Sequence, residues 1–301
     1  MRISQPDQNH SGNKSPVGQN RNSMINRYFR QKCEERIQEV ASSSKRFPDF
    51  MMATQPSGIV QFGRQVESEF RSIRKHFDKR RCQQELIVSE LKRVLTPCGI
   101  TVVPVGSFIT RATPRTSDVD VVLLSTLDES KLGRKDENFY KTRMFEIIQL
   151  LFNDDECKRI FFYKFDDGRK REAQKILETR VPLLRLSPMN FKLDIQFDMT
   201  EAIRNSVFVR SCVMLDERVA YLHYWLSNLF RLCGIKGSQK GLFSSYHSLS
   251  LVIHFMQYQK HLDMKPVLPV MLKFDPLLKP SSSLHNVIKK LDENVCFFPH
   301  F

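Results

Sequence analysis

The stretch VPVGSFITRATPRTSDVDVVLL, from Val103 to Leu124, constrains the fold more than any other part of the chain. ITVVPVGSF and DVDVVLLS are short β-branched runs separated by polar turn residues, and they read as strands. Successive side chains of a strand point to opposite faces, so Asp118 and Asp120 share one face while Val119, Val121 and Leu123 share the other. The apolar face must be covered by other elements. The opposite face carries two carboxylates roughly 7 Å apart on a rigid support. That pairing suits Mg²⁺, a hard cation commonly held by one or two carboxylates together with substrate phosphates. Gly106 permits close backbone approach, and the Ser107 hydroxyl and amide can hold a phosphate beside the metal.

A third carboxylate follows the same logic. In KLDIQF, Leu193, Ile195 and Phe197 alternate with Asp194, which places Asp194 on the non-apolar face of its own strand. Other acids compete poorly. Asp154, Asp155 and Glu156 sit at a helix end, and Asp166 and Asp167 precede Gly168, both solvated patterns.

Around this centre the chain divides into three parts. Residues 1–55 form an arm that is rich in Gln, Asn, Ser and Gly at its start and expected to be flexible, with a short charged helix fitting 24–41. Residues 56–200 form a mixed α/β (α+β) domain. Apolar residues recur at helical spacing over 59–95, from Val66 and Phe70 to Val94 and Leu95, with Pro97 and Gly99 as the stop. The strands around Gly106 and Asp118 come next, then a helix over about 138–152 and strands at 180–186 and 191–197. Residues 201–301 read as a mainly helical domain, shortened at its C-terminal end, with helices in VMLDERVAYLHYWLSNLFRLC and SYHSLSLVIHFMQYQKHL. An active-site cleft is expected between the two domains.

Charge says what such a cleft faces. Of 301 residues, 47 are Lys or Arg and 33 are Asp or Glu, a net charge of +14 that attracts polyanions. Residues 1–50 hold only a small part of that surplus. Seven scattered cysteines without a C-x-x-C pair indicate free thiols in a reducing compartment. No apolar run approaches the ~20 residues of a membrane span, and the polar N-terminus lacks a signal-peptide core. A cytoplasmic protein is expected, with the nucleus as the other compartment, and no membrane partner.

Gly106-Ser107 followed after about a dozen residues by the acid-x-acid strand Asp118-Val119-Asp120 resembles the signature of the DNA polymerase β-like nucleotidyltransferase superfamily. Downstream, VPLLRL, DIQFD, IRNS at 203–206 and GLFSSYHSLSLVIHFMQ at 241–257 keep the motif order of non-canonical poly(A) polymerases and terminal uridylyltransferases, and the chain is similar to that family over about 56–290. The resemblance implies template-independent addition of AMP from ATP to RNA 3′ ends by a two-metal mechanism with Mg²⁺ or Mn²⁺. In it Asp118, Asp120 and Asp194 are catalytic and metal-binding. Gly106, Ser107, Ser117, Asn205, Arg231, Ser245 and Tyr246 are nucleotide-binding: Asn205 toward the ribose, Ser245 toward the triphosphate, Tyr246 stacking on the base.

Two departures stand out. The family carries a Lys for the triphosphate on the helix before Ser-Ser-Tyr, and the ungapped equivalent here is Ser227. Arg231, on the same helical face, is then left to meet the triphosphate. The chain also ends at Phe301, soon after Asn294, where family members help decide between ATP and UTP. UMP addition is therefore the close alternative, and a catalytically weak or inactive regulatory homologue the alternative from another class. A small-molecule nucleotidyltransferase explains neither the charge nor the downstream match. No RNA-binding module is recognisable, so targeting through an RNA-binding partner protein is expected.

Overall fold

The computed structural model describes residues 56–114, 118–133, 135–162, 173–179, 181–238, 241–258 and 266–293. The expected N-terminal arm and Ser117 lie outside the described residues.

The helical spacing over 59–95 becomes two helices, α1 (Pro56–Asp78) and α2 (Arg81–Leu95). α2 buries Ile87, Val88, Leu91 and Leu95, one apolar stripe, and a 3₁₀ turn with Gly99 at φ +77° ends it. Next come β1 (Thr101–Val105), α3 (Gly106–Thr110) and β2 (Asp118–Leu124), followed by α4 (Glu137–Asn153) and α5 (Asp155–Phe162). Three strands then complete the sheet: β3 (Gln174–Ile176), β4 (Leu183–Leu186) and β5 (Lys192–Phe197). The helical part comprises α6 (Thr200–Leu215), α7 (Arg218–Leu232), α8 (Ser245–Gln257), the short α9 (Met271–Phe274) and α10 (Leu284–Glu293). Among the described residues no helix is long and apolar enough to cross a membrane.

The sheet is mixed, in the order β1-β2-β5-β4-β3. β2 pairs antiparallel with β1 and parallel with β5, and β5, which also pairs with β4, is the central strand. Their odd-numbered residues Val119, Val121, Leu123, Leu193, Ile195 and Phe197 are buried with residues of α2, α4 and α5 in one core. Burial on that scale, worth ~1.5–3 kcal/mol per large apolar side chain, fixes which face of the sheet is dry. The even-numbered face is apolar only farther along: Val122 and Leu124 pack with Ile203 and Val207 of α6 and with Leu284, Val287 and Leu291 of α10. Asp118 and Asp120 stand at the uncovered start of the same row. A third core joins Phe70 of α1 to Val209, Val219, Leu249 and Ile253 of the helical part.

Three details differ from the sequence reading. The strand expected to run on to Phe108 stops at Val105, because Gly106 at φ +68° turns the chain into α3, which ends at Arg111 with φ +55°. Asp154 is not a solvated end: its carboxylate accepts the Cys157 N–H at 2.9 Å and starts α5, with Asp155 and Glu156 in the first turn, where the helix dipole favours acids. The helix expected over 213–233 is broken at Asp216, whose carboxylate accepts the Arg218 N–H at 2.9 Å, so that α6 and α7 meet at a corner.

Candidate active site

Register brings the three carboxylates to one place. Asp120 lies opposite Asp194 in the parallel β2–β5 pair, Asp118 lies opposite Lys192, and Asp194 lies opposite Arg185 of β4. All five side chains share the sheet face left open by α6. Arg185 grips Asp194 with a two-pronged contact, Nε to Oδ1 at 2.7 Å and Nη2 to Oδ2 at 2.8 Å. The Lys192 ammonium sits 3.5 Å from Asp118 and 3.6 Å from Asp194. Asp194 is thus buried but doubly compensated. Asp120 has no hydrogen-bond or ion-pair partner among the described residues. Burial, and then the charges of Asp194 and Asp118, push its pKa up to about 6.

Gly106 abuts this cluster. A Cβ at that position would lie 2.6 Å from Asp120 Oδ2, so a side chain there would occupy the carboxylate's own space. The Gly106 N–H donates to Ser206 Oγ at 2.9 Å, and that hydroxyl donates to the Ala202 carbonyl at 2.7 Å, tying the turn to α6. Carbonyls at the far end of the turn are held from four helices. Arg81 of α2 donates to Phe108 O at 3.2 Å and Arg210 of α6 to Ile109 O at 2.8 Å. Arg74 of α1 donates to Arg111 O at 2.5 Å, and His223 Nδ1 of α7 lies 2.9 Å from Ala112 O.

The nucleotide-binding residues of the sequence reading fall into three groups. Gly106 and Ser107 open α3 beside the carboxylates. Asn205 and Tyr246 meet: the Tyr246 hydroxyl donates to Asn205 Oδ1 at 2.9 Å, linking α6 to α8 while the tyrosine stays exposed. Ser244 caps α8, accepting the His247 N–H at 3.1 Å, and Ser245 is the first residue inside the helix. Arg231 stands near Lys236, whose ammonium feels its charge. It lies in the last turn of α7, bonded to Asn228 Oδ1 at 2.8 Å, with no described contact to the carboxylates.

Sequence reasoning missed several partners. Arg185 and Lys192 occupy the same strand parity as Asp194, a signal present in LLRL and KLDIQF. Ser206 was read only as part of the Asn-Ser pair. Lys236 carries no periodic signal, yet its ammonium donates to Ser227 Oγ.

The chemistry of the donor set fits a divalent metal. Three carboxylates on one face supply hard oxygen ligands, and Asp120 is poised without a competing partner. A second grouping of ligand-type atoms, Glu90, Asp154 and Cys157, does not compare with it. Arg93 fills that grouping, donating to Asp154 at 2.6 and 2.9 Å and to Glu90 at 2.8 Å, and burial pushes the Cys157 thiol up to about 12.

Residues 61–212 match the family described as poly(A) RNA polymerase, mitochondrial-like, central palm domain. The chain is 26% identical over 103 residues to human terminal uridylyltransferase 7, a match covering 34% of this chain and 7% of that protein. It is 26% identical over 185 residues to the Drosophila melanogaster poly(A) RNA polymerase gld-2 homolog A, covering 59% of this chain and 12% of the relative. The chain therefore spans a small fraction of these curated relatives. Among solved structures, the complex of the non-canonical poly(A) polymerase GLD-2 with GLD-3 aligns with TM-score 0.58 at 19% identity, covering 74% of this chain and 67% of that one. The Cid1 poly(U) polymerase bound to Mg and 3′-dATP aligns with TM-score 0.52 at 19% identity, covering 80% and 74%.

Proposed function

Since the chain belongs to the family of mitochondrial-like poly(A) RNA polymerase palm domains, we propose that it is a template-independent RNA 3′-nucleotidyltransferase that transfers AMP from ATP to RNA ends. The observation that carries this reading is the convergence of Asp118, Asp120 and Asp194 on one sheet face beside the Gly106 turn.

In this reading Asp118 and Asp120 would hold Mg²⁺ or Mn²⁺ at the triphosphate and Asp194 would complete a second site. The ions supply charge neutralisation and make the attacking hydroxyl more acidic. The RNA 3′ oxygen bonds to the α-phosphorus, the bond to the β-phosphate's bridging oxygen breaks, and pyrophosphate leaves. Asp194, its orientation set by the Arg185 fork, would help activate the attacking hydroxyl. The Gly106 turn, held by Ser206 and the helix-borne donors, keeps Ser107 at the phosphates. Asn205, oriented by Tyr246, would hydrogen-bond the ribose hydroxyl, a contact that a sugar lacking it cannot make. The exposed face of Tyr246 takes the base by stacking.

UMP addition is the second reading, favoured by the match to human terminal uridylyltransferase 7. A cytoplasmic location and targeting by an RNA-binding partner are part of the proposal, the partner by analogy with the solved complexes of GLD-2 with GLD-3 and with RNP-8. Purified chain, an RNA primer, Mg²⁺ or Mn²⁺ and each of the four NTPs test it. Extension with ATP, abolished in Asp120→Ala, is expected. Extension with UTP instead selects the second reading, and no extension with any NTP leaves a regulatory homologue.

A further inference from the structure

The sequence presents a gap in charge: Ser227 stands where the family resemblance expects the triphosphate lysine. In the folded chain that gap is filled from elsewhere. Ser227 is buried in α7, 6% exposed, and its hydroxyl receives the Lys236 ammonium. Lys236 reaches it from the loop after α7, which is held closed by backbone bonds from Phe243 N to Ile235 O at 3.0 Å and from Gly237 N to Phe243 O at 3.1 Å. That pairing sets Lys236 beside the strand-like approach to Ser244, Ser245 and Tyr246.

The seat is built from several elements. His223 Nε2 lies 3.4 Å from Ser227 Oγ and 3.2 Å from Ser248 Oγ, and the Ser245 backbone reaches the same imidazole. Through its other nitrogen His223 is bonded to the carbonyl of Ala112, next to the Gly106–Thr110 turn. One network thus connects Lys236 to the two segments that the polymerase reading places at the triphosphate.

The ammonium itself is half-buried and has no ion-pair partner among the described residues. Burial, and next the like charge of Arg231, push its pKa below the ordinary lysine value, and no acid offsets them. A cation kept in that state is costly unless an anion joins it. Arg231, whose charge acts on Lys236, is itself bonded to Asn228 Oδ1 at 2.8 Å.

We propose that Lys236 is the cation that binds the nucleotide triphosphate in this chain, with Ser227 as its seat rather than as a lost lysine. The inference rests on the polymerase reading for the identity of the anion. It adds that the charge has moved nine residues along the chain while staying in place in space. A lysine at position 227 would compete for the volume Lys236 uses, so the two positions should be interchangeable only as a pair.

The test is equilibrium binding of Mg-ATP, Mg-UTP and inorganic tripolyphosphate to the full chain by calorimetry, with KM and kcat from primer extension alongside. Lys236→Met should weaken binding of all three by about 10- to 100-fold, the range of a charge-assisted contact. Its KM should rise by a similar factor with kcat less affected. Ser227→Lys alone should crowd the seat and weaken binding, whereas Ser227→Lys in the Lys236→Met background should restore affinity to within a few-fold of wild type. Unchanged affinity in Lys236→Met overturns the proposal, as does a loss that the relocated lysine does not recover, because a merely structural role would not be rescued from the helix. Binding through Lys236 without primer extension retains the proposal and removes the polymerase reading. Extension with the KM of Lys236→Met unchanged does the reverse.

Discussion

Asp120→Asn should make the metal-free protein more stable while destroying its function. In the folded chain the Asp120 pKa is about 6 against 3.8 for a free carboxylate, because burial and two neighbouring carboxylates oppose its charge. A raised pKa means that the folded state binds the proton more tightly than the unfolded chain. Stability associated with Asp120 is then fully present below about pH 3.8 and is lost as pH rises through about 6. The shift of about two units, at ~1.4 kcal/mol each, places the upper bound of the penalty near ~3 kcal/mol above pH 7. Asparagine carries no charge to pay it. In EDTA at pH 8 the variant should melt several degrees above wild type, with about 6–12 °C as the upper bound at the ~2–4 °C per kcal/mol of a somewhat smaller domain. The gap should close toward pH 4. Mg²⁺ or Mn²⁺ should raise the melting temperature of wild type only, since binding to the folded state stabilises by mass action. Scanning calorimetry across pH 4–8, with and without metal, measures all three effects. A variant that melts at or below wild type at pH 8, or a gap that does not vary with pH, would refute the argument that the three carboxylates repel one another across the β2–β5 register.

Two further substitutions probe the same site. Gly106→Ala places a Cβ 2.6 Å from Asp120 Oδ2 at a backbone φ of +68°, so kcat for primer extension should fall by about 100-fold or more, with far-ultraviolet circular dichroism retained; activity within a few-fold of wild type would contradict the close approach. Tyr246→Phe keeps the ring and loses the 2.9 Å bond to Asn205, and its KM for nucleotide should rise only a few-fold. Tyr246→Ala also loses a stacking face worth ~1–3 kcal/mol, so its KM should rise about 5- to 100-fold; equal effects of the two variants would remove the stacking role.

What could be read in the residues alone was whatever depends on period and local chemistry. Val119, Val121 and Leu123, alternating with Asp118 and Asp120, announce one dry face and one acidic face, because a single strand carries that information without knowledge of its neighbours. KLDIQF does the same for Asp194. The compensation of those acids was written in the same letters but needed strand pairing to become legible: Arg185 and Lys192 matter because β4 and β5 place them opposite or beside specific aspartates. The short helix α3 escaped notice because a Gly at positive φ and an Arg at positive φ bracket only five residues, too few for a periodic signal. Lys236 was invisible for a related reason. Its partner is nine residues away across a closed loop, a separation that belongs to no regular period, so attention to the helix face alone led to Arg231 instead.

The donors that clasp the carbonyls of residues 108–112 carry a consequence for how the protein comes into being. They come from Arg74, Arg81, Arg210 and His223, on helices that both precede and follow the sheet in the chain. A nascent chain emerging from its N-terminal end can therefore pair β2 with β5 once Phe197 is available, and Arg74 and Arg81 can already hold part of the turn, but the clasp is complete only when residue 223 has been made and docked. The bonds from Arg210 and His223 span 101 and 111 residues, against 37 and 27 for those from Arg74 and Arg81, and are the costlier in loop closure. The sheet is thus built early and its turn fastened late, and a partially folded chain holds its carboxylates beside a turn that is still loose.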